Sequence, residues 1–297
     1  MNSEIEQLIH SVSKDKIKLW LLNLSSFHTR HTKSKYINEV AEWLKMEFKN
    51  MGYDNNDVFF HNYIENIDGK NYELKNVICK KNGINNQCII ICAHYDSRIK
   101  NLADFESRSP GANDNASGVS AILEIARLIN KQNLEYTVQF VLFSGEEQGL
   151  LGSKNYVKFV KENNINIYRL INLDMVAYPK LNPGIIIIIE SDNNTNPQHN
   201  RVKENDIASI EFGKVMADMS YYTDLKINLD SIWNSDYEPF EAEGIVVIGA
   251  YDGSADENQN PHYHDISDEP SLIDWNYLSS VTKMALATIL KVAQIHT

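Results

Sequence analysis

The sequence is poor in cysteine. Three cysteines, Cys79, Cys88 and Cys92, occur in 297 residues. Three thiols cannot all pair and none has a CxxC spacing, so we expect reduced, small core residues rather than a disulfide framework. Cys79 and Cys88 flank a turn and could face each other across a hairpin.

Basic clusters and long apolar runs are also missing. Lys and Arg number 28 against 40 Asp and Glu, a formal net charge of −12, which argues against a nucleic-acid or anionic-membrane partner. The longest apolar run, 185–189, has the length of a strand and cannot span a membrane. The N-terminus lacks the basic start and apolar stretch of a secretory signal. We therefore expect a cytoplasmic protein, unless a leader was removed.

What the sequence does contain is an alternation of buried runs and amphipathic helices. This alternation predicts an α/β fold of three layers, helix–sheet–helix, around a mixed, largely parallel sheet. We find no repeat or composition break, so one domain over 1–297 is expected. The predicted strands are 56–65, 72–79, 88–93, 136–143, 168–175, 184–190 and 244–250, and the second of them is expected to form a hairpin with the third. The predicted helices are 37–51, one from 116, 153–163, 206–220 and a final one opened by a capping box of Ser271 and Asp274.

A polar cluster with two histidines precedes the first of these helices. His28, Arg30 and His31 lie in the segment FHTRHT. We interpret it as a loop leading into the helix, with Thr32 or Ser34 as the N-cap. The cluster is given no functional role.

The most informative stretch is FSGEEQG, residues 143–149, which follows the predicted strand 136–143. It places Glu146 and Glu147 side by side in a glycine-flanked turn. Neighbouring carboxylates repel each other, and near a core they require a cation or a proton. A solvated turn is the plain alternative, and the pair alone would favour it.

Four further stretches carry metal-ligand residue types near the ends of apolar runs. His94 and Asp96 follow the strand 88–93, and Asp96 is placed to orient the imidazole. Asp114 lies before a helix, where an N-cap is the alternative role. Asp174 ends the apolar run YRLINLD, and His264 lies in a loop before the last helix.

Together these residues suit two zinc-like cations, because each ion then has one imidazole, one carboxylate and a share of a second carboxylate. His94 and Asp174 would hold the first ion, and Glu147 and His264 the second. Asp114 would bridge them. Glu146 is left over beside the site, as a general base must be.

Five segments, CAHYDS, PGANDNASG, FSGEEQGLLGS, INLDM and NPHYHD, resemble in order and spacing the co-catalytic dizinc aminopeptidases related to secreted bacterial leucyl aminopeptidases. The resemblance runs from about residue 76 to 268. It implies a zinc-exopeptidase fold, two Zn²⁺ per chain and a peptide substrate with a free N-terminus. It also implies catalytic roles for Glu146, Asp96 and Tyr263, and the metal ligands His94, Asp114, Glu147, Asp174 and His264. A further implication is a cis peptide between Asp114 and Asn115.

Several alternatives stay open at this stage. Glutaminyl cyclases resemble the same family but use one zinc, and a dizinc carboxypeptidase or a non-catalytic binding module are further possibilities. His262 is a competing ligand two residues before His264, and Cys92 shares a strand face with His94. Ser235-Asp236-Tyr237 resembles a segment near the family's substrate pocket, with Tyr in place of His. Asp236 and Tyr237 therefore receive no firm role.

Overall fold

A computed structural model describes residues 3–179 and 186–296 of the chain. The helices are Ser3–His10 (α1), Lys14–Ser26 (α2), Ile37–Asn50 (α3), Ser117–Ile129 (α4), Leu151–Glu162 (α5), Asp206–Asp218 (α6), Glu238–Glu241 (α7) and Trp275–Val292 (α8). The strands are Val58–Ile67 (β1), Lys70–Lys81 (β2), Asn85–His94 (β3), Asn133–Leu134 (β4), Tyr136–Phe143 (β5), Ile167–Leu173 (β6), Ile186–Ser191 (β7), Lys226–Ser231 (β8), Val246–Tyr251 (β9) and Ile295–His296 (β10).

The centre of the fold is an eight-stranded mixed sheet in the order β1-β2-β5-β3-β6-β9-β7-β8. Strands β5, β3, β6 and β9 are parallel to one another, and β7 is antiparallel to β9. The hairpin β1-β2 adds to β5 in antiparallel orientation. Because the carboxyl ends of parallel strands meet at one edge of a sheet, the loops after β3, β5 and β6 converge there.

Helices cover both faces of this sheet. On β3, Ile89 and Ile91 pack into one buried cluster with residues of α2, α3, α4, α6 and α8. Ile90 and Cys92, on the opposite face, pack with residues of α5 and α7. Alternate residues of a strand point to opposite faces, so the apolar run of β3 supplies both layers of core. The predicted α/β helix–sheet–helix fold is confirmed.

Most of the predicted elements are present, and β5 has the predicted bounds of 136–143. Strand β7 matches the predicted strand 184–190 from residue 186, and residues 184 and 185 lie outside the described residues. Strand β8 was not predicted, since its sequence KINLDS is largely polar. No helix in the described ranges has the length and apolarity needed to cross a membrane. That the chain is one domain stays a prediction.

The predicted hairpin between 72–79 and 88–93 is wrong. Strand β5 lies between β2 and β3, and β2 forms its hairpin with β1. The turn of that hairpin is Asp68-Gly69, with positive φ angles of 53° and 81°. A two-residue Asp-Gly loop with positive φ at both positions matches the twist of the strands it joins, so it fixes this pairing. Cys79 and Cys88 therefore lie on strands that are not neighbours, and all three cysteines are free and buried.

Both predicted helix caps are also wrong. Helix α3 is preceded by Tyr36, and its N-terminus has no side-chain cap. The hydroxyl of Thr32 donates to Asp96 instead, at 3.0 Å. At α8 the N-cap is Asp274, which accepts from the backbone N–H groups of Asn276 and Tyr277. A sequence pattern identifies residues able to cap, but where the chain enters the helix is decided by tertiary contacts.

The loop before α3 contains a buried guanidinium. Arg30 is fully buried and donates to the backbone carbonyls of Tyr95, Leu24, Pro110 and Gly111, at 2.7, 3.3, 2.5 and 2.9 Å. The side chain thus joins the loop after α2 to the segments after β3 and before α4. Removing it would leave several buried carbonyls without donors.

We predict that Arg30→Ala lowers the free energy of unfolding by roughly 3 kcal/mol or more, because buried acceptors lose charged donors. The measurement is urea unfolding followed by circular dichroism. His28→Ala is the matched control, since the exposed imidazole of His28 makes one hydrogen bond to the described residues, to the carbonyl of Glu106 at 2.9 Å. We expect less than about 1 kcal/mol from this control. Equal unfolding midpoints for the two variants would contradict the structural role of Arg30.

Candidate active site

The predicted site residues meet at the carboxyl edge of the parallel strands. His94 is the last residue of β3, and Asp174 directly follows β6. Glu146 and Glu147 lie in the turn after β5. Since β5, β3 and β6 are neighbours in the sheet, these side chains are brought to one place by the topology.

Two further loops complete the cluster. Asp114 comes from an irregular turn, Ala112–Ala116, and its peptide bond to Asn115 is cis, as the resemblance implied. His264 comes from the loop before α8 and has a positive φ of 51°. Both residues are buried, at 6% and 9% exposure.

The potential ligand atoms form two groups that share Asp114. In the first group, His94 Nε2 lies 3.2 Å from Asp114 Oδ1 and 3.2 Å from Asp174 Oδ1. In the second, His264 Nε2 lies 3.0 Å from Asp114 Oδ2 and 3.1 Å from Glu147 Oε2. Within each group the ligand atoms all lie within 4.8 Å of one another. Imidazole nitrogens and carboxylate oxygens at such separations are able to hold a zinc-type cation.

The two imidazoles are strongly affected by the carboxylates. Burial would lower the pKa of His94, but the charge of Asp174 and the contact with Asp114 raise it well above its usual value. Burial likewise opposes protonation of His264, and Glu147 and Asp114 raise its pKa to about 9. The carboxylates therefore favour a positive charge at both Nε2 positions. A metal ion that bound there would replace protons and release them to solvent.

Asp96 connects the histidine to the acidic turn. Its Oδ1 lies 3.6 Å from His94 Nδ1, while the closer contact of Nδ1 is the Asp96 carbonyl at 3.2 Å. The carboxylate also accepts from the backbone N–H groups of Glu146 and Glu147, at 3.2 and 3.3 Å. With the hydroxyl of Thr32 as a further donor, Asp96 fixes both the ring orientation and the turn.

Glu146 differs from its neighbour in its surroundings. Its carboxylate makes no hydrogen bond to the described residues and faces the cavity beside the two groups. Burial raises the pKa of Glu146 well above its usual value, and the charges of Glu147 and Asp174 add to the effect. A carboxylate with a raised pKa is a better proton acceptor near neutral pH.

The remaining residues named from the sequence lie as follows. Tyr263 stacks on His264, with ring centroids 3.7 Å apart, and lines the cavity. His262 does not join the ligand groups, and its Nδ1 lies 2.7 Å from the Ser267 hydroxyl. The thiol of Cys92 donates to Asn172 Oδ1 at 3.3 Å instead of facing the cluster.

Three residues of the site were missed by the sequence analysis. Asp268 is buried and accepts from the backbone N–H groups of Asn113 and Asp114. Ser235 donates to Asp174 Oδ2 at 2.7 Å, and Arg98 Nε donates to Glu147 Oε2 at 2.6 Å. Asp268 lies at the end of the resembling range, three residues after the segment NPHYHD, and Ser235 lies in the unassigned SDY segment, so weak signals existed for both.

A cavity of about 610 Å³ opens over the cluster. Six carboxylates line it, those of Asp114, Glu146, Glu147, Asp174, Glu190 and Asp230. Its other walls include several aromatic and apolar side chains. A pocket of this size accommodates a small peptide or an amino-acid side chain.

The comparison with family models decides the classification. The model of peptidase family M28 matches residues 76–289, about seven tenths of the chain. The chain belongs to peptidase family M28. The match includes every predicted metal ligand, and the resemblance stated from the sequence is confirmed.

Curated relatives of this M28 chain carry peptidase names. A "Probable zinc metalloprotease" of Pyrenophora teres f. teres is 30% identical over 190 residues, which cover 59% of this chain and 39% of the relative. "Leucine aminopeptidase 1" of Paracoccidioides brasiliensis is 30% identical over 184 residues, covering 59% of this chain and 46% of the relative. The chain thus spans less than half the length of these two relatives.

Solved structures share the fold. The Legionella pneumophila LapA aminopeptidase has a TM-score of 0.79 at 22% identity, over 98% of this chain and 74% of that one. The aminopeptidase from Aneurinibacillus sp. strain AM-1 has a TM-score of 0.78 at 17% identity, covering 98% and 97%. A Bacteroides thetaiotaomicron glutaminyl cyclase reaches 0.74 at 22% identity, covering 94% and 97%. Since both peptidases and a cyclase have this fold, the fold does not choose between these activities.

We predict that Asp96→Asn lowers the affinity for Zn²⁺ by roughly 10- to 100-fold, because the amide cannot hold the His94 ring and the 146–147 turn as the carboxylate does. The measurement is zinc binding in competition with a chelating dye. Asp218→Asn, at the exposed end of α6, is the control and should bind zinc as the unmodified chain does. Unchanged zinc affinity in Asp96→Asn would refute the positioning role.

Proposed function

We propose that this M28 chain is a zinc-dependent aminopeptidase that holds two Zn²⁺ ions. The observation that carries the proposal is the sharing of Asp114 between two ligand groups. Each of its two carboxylate oxygens lies close to a different imidazole, His94 on one side and His264 on the other. A single tetrahedral zinc binds four ligands, so five ligand residues arranged in two such groups are more than one ion requires.

The residues fit zinc in their chemistry as well as their number. Glu147 Oε1 is buried and has no hydrogen-bond partner, and a cation would satisfy it. His94 and His264 both present Nε2 to the cluster. Three ligand carboxylates together with Glu146 bring four negative charges, which two divalent ions would balance.

The chemistry is that of peptide-bond hydrolysis. Bound zinc supplies Lewis acidity toward the scissile carbonyl and lowers the pKa of water. Glu146, which lines the cavity without a hydrogen bond of its own, takes a proton from the attacking water and returns it to the leaving amine. Tyr263 faces the same cavity, and its hydroxyl donates to the developing oxyanion.

The substrate we propose is a peptide with a free N-terminus. The acidic lining of the cavity supports this assignment, because an ammonium group is attracted where carboxylates outnumber cations. A carboxypeptidase is the second candidate, and Arg98 on the cavity wall is the observation in its favour, since a guanidinium pairs well with a carboxylate. The net charge of −12 is compatible with the cytoplasmic location that we propose.

We predict that acetylating the α-amine of a cleaved dipeptide abolishes its hydrolysis, because the neutral amide no longer pairs with the acidic lining. Turnover of leucyl-alanine is compared with that of its N-acetyl and C-amide forms in the zinc-loaded protein. The C-amide should remain a substrate. Cleavage of the acetylated form, with loss of activity on the amide, would establish the carboxypeptidase instead.

A second prediction distinguishes the adjacent glutamates. Glu146→Gln should lower turnover by roughly two to four orders of magnitude while the zinc content stays at two per chain, because the amide cannot accept the proton. Glu147→Gln should instead lose zinc, since this residue contacts His264 in the second ligand group. Part of its activity should return in excess zinc.

The measurements are turnover and elemental analysis of both variants, each with and without added zinc. A loss of zinc from Glu146→Gln, with two ions retained in Glu147→Gln, would reverse the two roles. One ion per chain with full activity in the unmodified protein would favour the cyclase chemistry.

A further inference from the structure

One buried acidic residue of the cavity, Glu190, belongs to neither ligand group. Its side chain is 8% exposed, and its Oε2 accepts a hydrogen bond from the Tyr237 hydroxyl at 3.0 Å. Its Oε1 accepts no hydrogen bond from the described residues. Since Glu190 lines the cavity, this oxygen is open to a group that enters there.

The hydrogen bonds around Tyr237 fix which partner donates. The Tyr237 hydroxyl accepts from the backbone N–H of Trp233 at 2.8 Å, so its own proton is directed to Glu190. Oε2 therefore acts as an acceptor, and Oε1 is the atom available to a ligand. Burial raises the pKa of Glu190 to about 8, and the charges of Asp174 and Asp230 add to this effect. A bound cation would favour the ionised form.

The sheet register gives the position of Glu190 relative to the ligand groups. Asn172, Gly249, Glu190 and Asp230 occupy one row across β6, β9, β7 and β8. Neighbouring strands lie about 4.8 Å apart, so the backbone of Glu190 is about 10 Å from β6, the strand that ends at Asp174. The ligand groups and Glu190 thus lie at two ends of one cavity.

Glycine at position 249 keeps the space over this row open. A Cβ atom built there would lie 2.5 Å from Glu190 Oε2 and 2.7 Å from a ring carbon of Tyr237. Any side chain would displace the carboxylate or the phenol. The absence of a side chain at Gly249 therefore allows the Glu190–Tyr237 pair to occupy the floor of the cavity.

A second carboxylate, that of Asp230, lies beside Glu190 in the sheet. Asp230 is the register partner of Glu190 on β8, and like charges at paired positions repel each other. No lysine, arginine or histidine forms an ion pair with either residue in the part of the chain that the structure describes. Two zinc ions would balance the carboxylates of the ligand groups and Glu146, and would leave Glu190 and Asp230 without a cation of their own.

Apolar and aromatic side chains form part of the cavity wall beside Glu190. Ile188 and Tyr251 are paired on β7 and β9, one step nearer the ligand groups than Glu190. Met175 and the exposed indole of Trp233 line the same cavity. Apolar walls ending in a carboxylate suit a side chain with an aliphatic stem and a cationic end, and an aromatic ring attracts such a cation.

We propose that this end of the cavity binds the side chain of an N-terminal lysine or arginine, with its cation on Glu190 Oε1 and Asp230 at the rim. The inference rests on the proposed aminopeptidase function and specifies its substrate class. The α-ammonium is not the group recognised here, because it is bonded to the carbon beside the scissile carbonyl and must stay near the ligand groups. A lysine ammonium stands on a four-carbon stem and reaches across the gap.

The test compares lysyl-alanine with norleucyl-alanine, which has nearly the same shape but no charge. In the zinc-loaded protein, kcat/KM for lysyl-alanine should be at least about tenfold higher. Glu190→Gln should lower kcat/KM for lysyl-alanine by roughly 10- to 100-fold, the effect of a charge-assisted hydrogen bond, and change that for norleucyl-alanine less than about threefold. Glu211→Gln, an exposed charge change on α6, should affect neither substrate.

Asp230→Lys provides a second variant that leaves the core untouched, because Asp230 is exposed. It should lower kcat/KM for lysyl-alanine several-fold and that for norleucyl-alanine by a smaller factor. Equal rates for the two substrates, equal losses for both in Glu190→Gln, or a preference for alanyl-lysine over lysyl-alanine would overturn the proposal.

A binding measurement separates this proposal from the aminopeptidase function. Calorimetry should give tighter binding of L-lysine than of L-norleucine to the unmodified protein, and Glu190→Gln should remove the difference. If no peptide is cleaved but this difference is present, the proposed hydrolysis fails and the cation-binding pocket stands. If norleucyl-alanine is cleaved and the two amino acids bind alike, the aminopeptidase stands and the pocket assignment fails.

Discussion

Two imidazole rings meet on one carboxylate, and much of the architecture serves to hold that carboxylate in place. Asp114 lies between His94 and His264, at 3.2 and 3.0 Å. Its backbone N–H donates to buried Asp268, and the carbonyl of Gly111 just before it accepts from Arg30. A carboxylate that bridges two ions, the role we propose for Asp114, must be fixed to within a fraction of an ångström. Buried charged side chains that hydrogen-bond to the backbone, here Asp268 and Arg30, position the segment more closely than side-chain packing alone.

The many carboxylates of the site differ in what they contact, and this determines what each can do. Asp96 and Asp268 accept hydrogen bonds from backbone N–H groups, so their charges are used to fix loops. Asp114, Asp174 and Glu147 face imidazole nitrogens and are available as ligands. Glu190 accepts from a phenol and leaves one oxygen to the cavity. The composition shows only that acidic residues outnumber basic ones. The separate roles of the carboxylates follow from the groups that each of them contacts.

The sequence predicted well what depends on local pattern. The strand Tyr136–Phe143 was predicted with its observed bounds, because a short apolar run bounded by polar residues is typical of a buried strand. The structure brings the candidate ligand residues together, partly because strand ends at one edge of a parallel sheet converge. The hairpin of 72–79 with 88–93 was wrong, since the pairing of a strand is set by all its possible neighbours. The buried role of Arg30 could not be predicted, because its acceptors lie up to 81 residues away in sequence.

The adjacent pair Glu146 and Glu147 illustrates how the fold separates residues that a sequence treats alike. Both backbone N–H groups point to Asp96, which sets the turn. With the backbone fixed in this way, the two side chains leave it in different directions. Glu147 reaches His264 and Arg98, at 3.1 and 2.6 Å, while Glu146 is left at the cavity wall. The different surroundings of Glu146 and Glu147, from which we propose a proton acceptor and a metal ligand, therefore depend on the Asp96 carboxylate behind the turn.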